Sequence, residues 1–198
     1  GSTHASTGWL PNGSNGYCNT FFRPSSNSSL NNTHISFYSR TSTISNGVRD
    51  LAAYTGNDNP SLALGTNTGI LLSDHYSYNE RVSGSISDAL GLFISTRINS
   101  TSHKLFKNNT LLGSNTSTNS QSLPSIYLLL GAANINSAGS STLSISAYSN
   151  KECAFASIGE GLSDTEAANF YTAVQTFQTT LGRQVGVPIV SDADAQAF

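Results

Sequence analysis

Short apolar runs separated by polar turn residues recur along most of the chain. The runs have the length and the β-branched or aromatic content of strands, and they span 16–22, 34–40, 68–73, 81–87, 90–97, 126–131, 142–149 and 153–158. Asn, Gly, Pro and Ser cluster between them and favour turns. Because strands do not alternate with helices, the pattern predicts an all-β fold, an antiparallel β-sandwich or jelly roll.

One segment near the C-terminus has helical periodicity instead. Ser163 and Glu166 match the S-x-x-E pattern of a capping box, and Gly182 supplies a stop. Between them, apolar side chains recur at steps of three and four residues, at Ala167, Phe170, Tyr171, Val174, Phe177 and Leu181. We therefore predict one C-terminal amphipathic α-helix of about five turns, packed on the sandwich through this stripe.

The composition narrows the partners and the location expected for this fold. Charged residues make up 10% of the 198 residues and the formal net charge is -2, which leaves no basic surface for nucleic acid. Ser, Thr and Asn carry the polar surface instead, as is typical of extracellular all-β domains. No apolar run reaches the ~18 residues of a membrane span. We expect an extracellular, cell-surface or virion location without membrane insertion.

The chain is expected to form a single domain over residues 1–198. Residues 1–2 have the sequence of a cloning remnant, and residues 184–198 are expected to form a C-terminal strand or tail. The two cysteines, Cys18 and Cys153, leave two alternatives open: one disulfide, or two small buried hydrophobic side chains. Neither cysteine has the spacing of a metal site.

Four segments in order carry a family resemblance. They read GYCNTFFRPSS (16–26), LGLFISTR followed by HKLFKNNTLL (90–112), IYLLLGA (126–132) and AFASIGEGLSDTEAANFY (154–171). Together they resemble the concanavalin A-like lectin/glucanase superfamily, in particular laminin-G-like jelly-roll domains of the kind found on phage tail fibres and bacterial surface proteins. The resemblance implies a hairpin turn at Asn108-Asn109, where Asn109 replaces the usual Gly and takes a positive φ.

The segment DHYSYNER, residues 74–81, is the best sequence candidate for ligand binding. Sugars present apolar C–H faces and many hydroxyls, so their sites combine aromatic rings with Asp, Asn and His groups on loops. The predicted site residues are Asp74, His75, Tyr76, Tyr78, Asn79 and Arg81, with Trp9 and Tyr54 as further loop aromatics. The alternative is that Tyr76 and Tyr78 pack on one face of a strand.

The sequence gives little support to metal binding or catalysis. A weak calcium candidate lies at Asn57, Asp58 and Asn59, where a solvated Asx-turn explains the same residues; no other cofactor is expected. Retaining glucanases of this architecture need two carboxylates about 5 Å apart, and no strand with alternating acids is present. We therefore expect a chain that is not an enzyme.

Three functions from different classes follow. The first is a non-catalytic carbohydrate-binding or receptor-binding adhesion module, whose partner is a glycan or a cell-surface receptor. The second is a structural or oligomerising domain of a viral or surface assembly, a homotrimer if it belongs to a fibre. The third, and least supported, is a polysaccharide-cleaving enzyme.

Overall fold

The computed structural model describes residues 1–55, 61–117 and 121–186. Strands in the first half are β1 (Ser2–Ala5), β2 (Gly8–Pro11), β3 (Cys18–Asn19), β4 (Thr33–Ser39), β5 (Val48–Tyr54), β6 (Ser61–Asn67), β7 (Ile70–His75), β8 (Val82–Ser85) and β9 (Gly91–Asn99). Those in the second half are β10 (Ser102–Lys107), β11 (Thr110–Asn115), β12 (Leu129–Leu130), β13 (Ala133–Asn134), β14 (Ile145–Ser146) and β15 (Cys153–Gly159). The helices are α1 (Pro24–Asn27) and α2 (Asp164–Thr180), and Tyr78–Glu80 forms a 3₁₀ turn.

The strands form two sheets. Sheet A has the order β1-β2-β15-β4-β9-β10-β11, and sheet B has the order β14-β13-β5-β6-β7-β8, with β12 and β3 added beside β5. Neighbouring strands of sheet A are antiparallel, and sheet B is antiparallel except for the pairing of β13 with β5. The predicted all-β antiparallel sandwich is confirmed.

The main core lies between the two sheets. Strand alternation directs Ile35 and Phe37 of β4 into it, together with Leu62 and Leu64 of β6. Tyr38 points to the opposite face of sheet A and belongs to a second cluster under α2. The central strands of sheet A, β4 and β9, are therefore buried on both faces, and α2 forms their outer layer.

Helix α2 begins as the sequence predicts but presents a rotated face. The Ser163 side chain accepts a hydrogen bond from the Glu166 backbone N–H, and the Glu166 side chain accepts from the Ser163 backbone, which completes the capping box. Ala167 and Val174 are buried as expected, and Phe170 and Tyr171 pack against them. The prediction for the C-terminal half of the stripe is wrong, because Phe177 and Leu181 are about half exposed, at 48% and 49%.

Two glutamines take the buried positions that the apolar stripe does not fill. Gln175 and Gln178 have no exposed surface. Gln175 Oε1 accepts a hydrogen bond from the Tyr38 hydroxyl at 2.7 Å, and Gln178 Nε2 donates to the Ala154 carbonyl at 3.5 Å. Because their amide groups are paired, polar side chains replace apolar ones in this contact.

Strands β5 and β6 lie at the centre of sheet B, although the sequence pattern did not predict them. Their sequences VRDLAAY and SLALGTN contain Asp, Ala and Gly, which are depleted in strands. A bulge between Arg49 and Leu51 places Asp50 in the interior, where its carboxylate accepts hydrogen bonds from Lys151 Nζ at 2.9 and 3.1 Å. The pattern also missed β1 and β2, of which β1 includes Ser2 of the predicted cloning remnant.

The hairpin between β10 and β11 turns at Asn108-Asn109, because Lys107 pairs with Thr110. The left-handed residue is Asn108, with φ of 54°, and not Asn109 as expected. Asn108 Oδ1 accepts a hydrogen bond from the Leu92 backbone N–H at 2.9 Å, which ties the turn to β9.

Cys18 and Cys153 are free thiols that pack on the same inter-sheet core, the second of the two alternatives. The calcium candidate at Asn57, Asp58 and Asn59 lies outside the described residues, as does most of the C-terminal segment, from residue 187 onward. Within the described residues, no helix is long and apolar enough to cross a membrane.

Candidate functional site

The outer face of sheet B carries a floor of small side chains beside two arginines. Ala52, Ala63 and Ala133 cluster there with Tyr54. A pocket of about 220 Å³ opens beside this floor, lined by Arg49, Tyr54, Arg81, Ala133, Ile135, Ser146 and Ala147. Within the described residues, this is a small polar recess in a surface that is otherwise poor in charge.

A continuous network of polar groups builds the wall of this pocket. Arg81 donates from Nε and Nη2 to the two oxygens of Asp74, both at 2.7 Å, in a bidentate pair. The Tyr54 hydroxyl donates to Asp74 Oδ2 at 3.3 Å and accepts from Arg49 Nε at 2.5 Å. Asp74 therefore lies beneath the pocket and holds Arg81 directly and Arg49 through Tyr54.

Burial is the main cause of the pKa shifts of Tyr54 and Asp74. Burial raises the pKa of Tyr54 well above its usual range, and the neighbouring Asp74 carboxylate raises it further. Burial also raises the pKa of Asp74, whereas the hydrogen bonds and the charge of Arg81 oppose that rise. Tyr54 thus stays a neutral hydroxyl at neutral pH, and the two guanidinium groups give the pocket a net positive charge.

The backbone around the pocket fits the arginine side chains closely. Gly65 pairs with Arg49, and a Cβ at Gly65 would lie 3.0 Å from Arg49 Cδ and 2.3 Å from the Val48 carbonyl oxygen. Ala147 has φ of 52°, a left-handed conformation that costs a non-Gly residue about 1–3 kcal/mol. Its carbonyl accepts a hydrogen bond from the Arg49 backbone N–H at 2.9 Å, so the strained residue helps to position β5.

The structure separates the residues that the sequence grouped into one binding loop. Tyr54, Asp74 and Arg81 do come together at the pocket. Asn79 is exposed in the 3₁₀ turn but does not line the pocket, and the side chain of Tyr78 is outside the described part of the structure. Asp74 and His75 end a buried strand instead of lying on a loop.

Three predicted contact residues are buried instead, which corrects their assignment as exposed ligand contacts. Trp9 is 9% exposed and packs in the inter-sheet core. Tyr76 has no exposed surface, and its hydroxyl contacts Ser28 Oγ at 2.7 Å and Thr33 Oγ1 at 2.9 Å. His75 is also fully buried. Tyr76 follows β7 with φ of 72°, so its ring packs in the inter-sheet core as the alternative expected, but not from a strand.

His75 belongs to a buried polar cluster that joins the two sheets. His75 Nδ1 lies 2.8 Å from Ser95 Oγ, and Ser95 also contacts Ser73 of sheet B. His103 Nε2 lies 3.1 Å from Ser73 Oγ. Burial lowers the pKa of His75 well below its usual value and that of His103 to about 3, so both imidazoles are neutral at neutral pH. With no exposed surface, this cluster cannot contact a ligand.

The lining residues missed by sequence reasoning are Arg49, Ala133, Ile135, Ser146 and Ala147. Arg49 lies 32 positions before Arg81, and only the pairing of β5, β6 and β7 brings the two arginines to one pocket. The available signal was weak: Arg49 and Asp50 precede the apolar run Leu51–Tyr54 in a chain with few cations.

Two other depressions share Phe22 in their lining. One, of about 420 Å³, is lined mainly by Ser and Asn side chains between Ser26 and Asn32 and by Ile158, Gly159 and Glu160. The adjoining one, also about 420 Å³, is mostly apolar and lies along Ala156, Ser157 and Ile158 of β15. Neither has an arginine in its lining, whereas the arginine pocket has two.

The pocket does not have the groups of a polysaccharide-cleaving site. Among the residues that line or support it in the described structure, Asp74 is the single carboxylate, and it is fully buried and paired with Arg81. A second carboxylate about 5 Å or more away would be needed for glycoside hydrolysis. No group of three or more His, Cys, Asp or Glu that could hold a metal ion occurs in the described residues.

Fold and site together define a class: a two-sheet antiparallel β-sandwich with an outer helix and a cationic pocket on the open sheet. No family model and no curated protein matches the chain. Solved structures do. The carbohydrate-binding module CBM40 of the Ruminococcus gnavus IT-sialidase is 15% identical, covers 72% of this chain and 84% of its own, and has a TM-score of 0.46.

A native heptameric SAP-like pentraxin from Limulus polyphemus is 12% identical, with 71% of this chain and 70% of the pentraxin covered and a TM-score of 0.48. The binding domain of Paraclostridial Mosquitocidal Protein 1 is 12% identical over 73% of this chain and 38% of that one, with a TM-score of 0.44. These similarities are too low to identify a ligand.

Proposed function

We propose that this domain is a non-catalytic carbohydrate-binding module that holds an acidic sugar in the Arg49–Tyr54–Arg81 pocket. The observation that supports the proposal is the network in which one buried carboxylate, Asp74, orients two guanidinium groups at the mouth of a sugar-sized recess. Guanidinium groups bind carboxylates and sulfates through paired N–H donors. Glycans that carry such groups are abundant on cell surfaces, which fits an extracellular or virion setting.

The charge balance of the pocket favours an anion over a neutral sugar. Two guanidinium groups share one carboxylate, so one positive charge is left for a ligand. Among the described residues, Nη2 of Arg49 has no hydrogen-bond partner, whereas Nε and Nη1 donate to Tyr54 and Val48. Ser146 adds a hydroxyl at the rim, and Ile135 offers an apolar surface that is 43% exposed.

The test compares saccharides that differ in one acidic sugar. Calorimetric titrations with sialyllactose and with a glucuronate disaccharide are set against lactose, and we expect binding of an acidic saccharide that weakens with added salt. Arg49→Gln removes the open guanidinium and should weaken binding about tenfold or more, a loss of roughly 1.4 kcal/mol or more.

Lys104→Gln is the matched control, because it removes the same charge from β10 of sheet A, where Lys104 pairs with Asp164. Binding of the control should equal that of the wild type. Equal binding of lactose and the acidic saccharides, or an Arg49→Gln variant that binds as the wild type does, would contradict the proposal.

A further inference from the structure

An exposed aromatic residue lies in a conformation that its side chain disfavours. Phe21 is 73% exposed, the most exposed of the large apolar side chains in the described structure, and has φ of 55°. Left-handed backbone is normal for Gly and tolerable for Asn, but it is an outlier for a bulky residue and costs about 1–3 kcal/mol. Neither burial nor backbone preference explains a phenylalanine at this position.

The surrounding backbone holds Phe21 in this conformation. The Phe21 N–H donates to Asn19 Oδ1 at 2.9 Å, and the Phe22 N–H donates to Thr20 Oγ1 at 3.1 Å. On either side, the Thr20 N–H donates to the Leu128 carbonyl at 3.3 Å, and the Leu128 N–H donates to the Phe22 carbonyl at 2.9 Å. The ring is therefore presented by a rigid segment and not by a loose loop.

A second ring and a cation complete the surface. Tyr127 meets Phe21 edge to face, with 5.9 Å between ring centroids and 69° between planes. The Arg23 guanidinium lies over the Tyr127 ring, 4.7 Å from its centroid, in a cation–π contact. We call Phe21, Tyr127 and Arg23 the aromatic platform.

The platform is connected to the arginine pocket by β13. Asn134, which is fully buried, donates from Nδ2 to the Tyr127 carbonyl at 3.0 Å. The next residue, Ile135, lines the arginine pocket. The pocket and the platform therefore lie on segments that are hydrogen-bonded to each other.

We propose that the aromatic platform is a second glycan subsite, on which the apolar C–H face of a pyranose stacks against Phe21 while its hydroxyls meet Arg23 and Asn19. An exposed aromatic ring bordered by polar side chains matches a sugar, which has one small apolar face and a polar rim. A protein partner would need a contiguous apolar patch of several hundred Å². The subsite rests on the proposed glycan-binding function but uses different residues.

Phe21→Gly should weaken ligand binding without lowering the stability of the fold. Glycine adopts positive φ without strain, so the variant should melt at the wild-type temperature or above. If the ring stacks on a sugar, the same variant should bind oligosaccharides about tenfold more weakly, equivalent to roughly 1.4 kcal/mol. Phe21→Trp should retain binding, and Leu111→Ala, which truncates another exposed apolar side chain on β11, should leave it unchanged.

The probes are a printed glycan array followed by calorimetry with the best tri- or tetrasaccharide and its monosaccharide. We expect Phe21→Gly to weaken binding of the oligosaccharide and to spare the monosaccharide held by the pocket. Unchanged oligosaccharide binding by Phe21→Gly overturns the platform, and if Arg49→Gln still weakens binding, the proposed function stands without it. A wild-type protein that binds no saccharide on the array overturns both.

Discussion

Asp74 is the residue on which the candidate site depends. Its carboxylate has no exposed surface and receives two hydrogen bonds from Arg81 and one from Tyr54. A buried ion pair contributes little net stability compared with an apolar pair, but removal of one partner leaves an uncompensated charge in the interior. The pair therefore acts mainly to fix the direction of the Arg81 side chain.

This asymmetry gives a double-mutant prediction. Arg81→Gln alone should lower the free energy of unfolding by about 3–5 kcal/mol, because it leaves the Asp74 charge unpaired. Arg81→Gln combined with Asp74→Asn should recover most of that loss, since neutral amides remain at both positions. Urea unfolding of the wild type, both single variants and the double variant measures the coupling. Additive losses would contradict the paired role of Asp74.

The helices and strands differ in how well they could be predicted from their own residues. Helix α2 has local signals at both ends, and the sequence predicted its start correctly at Ser163. Its buried face was less predictable, because Gln175 and Gln178 are stabilised by hydrogen bonds to sheet A that no periodicity reveals. Strand β5 was missed for a similar reason: Asp50 is paired with Lys151, which lies 101 positions later in the chain.

The cap of α2 supplies the prediction at this scale. Ser163→Ala removes the side-chain acceptor of the Glu166 N–H and should lower the free energy of unfolding by about 1 kcal/mol. Ser163→Gly should cost only a few tenths of a kcal/mol, because Gly is itself tolerated at this position. Thermal or urea unfolding compares the two variants. A Ser163→Ala variant as stable as the wild type would mean that the hydroxyl is not a stabilising cap.

The candidate site was only partly predictable for a topological reason. Asp74 and Arg81 were named from one local segment, and they do pair. Arg49 joins them through the registers of β5 with β6 and of β6 with β7, which a single sequence does not encode in any local pattern. The same local segment misled for His75 and Tyr76, because β7 continues to His75 and both rings are fully buried.

At the scale of the whole molecule, the sandwich has one face covered by α2 and one that carries the pocket and its small-residue floor. A fibre homotrimer and the phage or bacterial surface context stay predictions. The interior contains titratable and charged side chains as well as apolar ones, since His75, His103 and Arg97 are all fully buried. This polar interior makes stability depend on pH.

The direction of that dependence follows from the two buried histidines. Their pKa values fall below the usual 6.5 in the fold, so the unfolded chain binds more protons as the pH drops below about 6.5. The contribution of these histidines to the free energy of unfolding should be fully present above pH 6.5. Below that pH, the free energy of unfolding should fall by up to about 1.4 kcal/mol per pH unit for each histidine. Burial lowers the pKa of His34 as well, which acts in the same direction.

Urea unfolding between pH 7 and pH 5 measures this slope above the range in which most carboxylates titrate. His103→Gln should reduce the slope, whereas His4→Gln, at an exposed position on β1, should leave it unchanged. A wild-type stability that is flat across this range would contradict the assignment of neutral buried imidazoles.

The same inter-sheet cluster has a consequence for how the sheets align. Ser73 and His75 of β7 face Ser95 and His103 of sheet A, and each hydroxyl or imidazole has a partner across the gap. Sliding β7 by one residue would bring Leu72 and Asp74 to these positions and leave the opposing polar groups unpaired. The slip would also carry Leu71 out of the apolar core, so the polar pairs add to the specificity that the apolar residues already give. The cluster therefore fixes one alignment of β7 against sheet A.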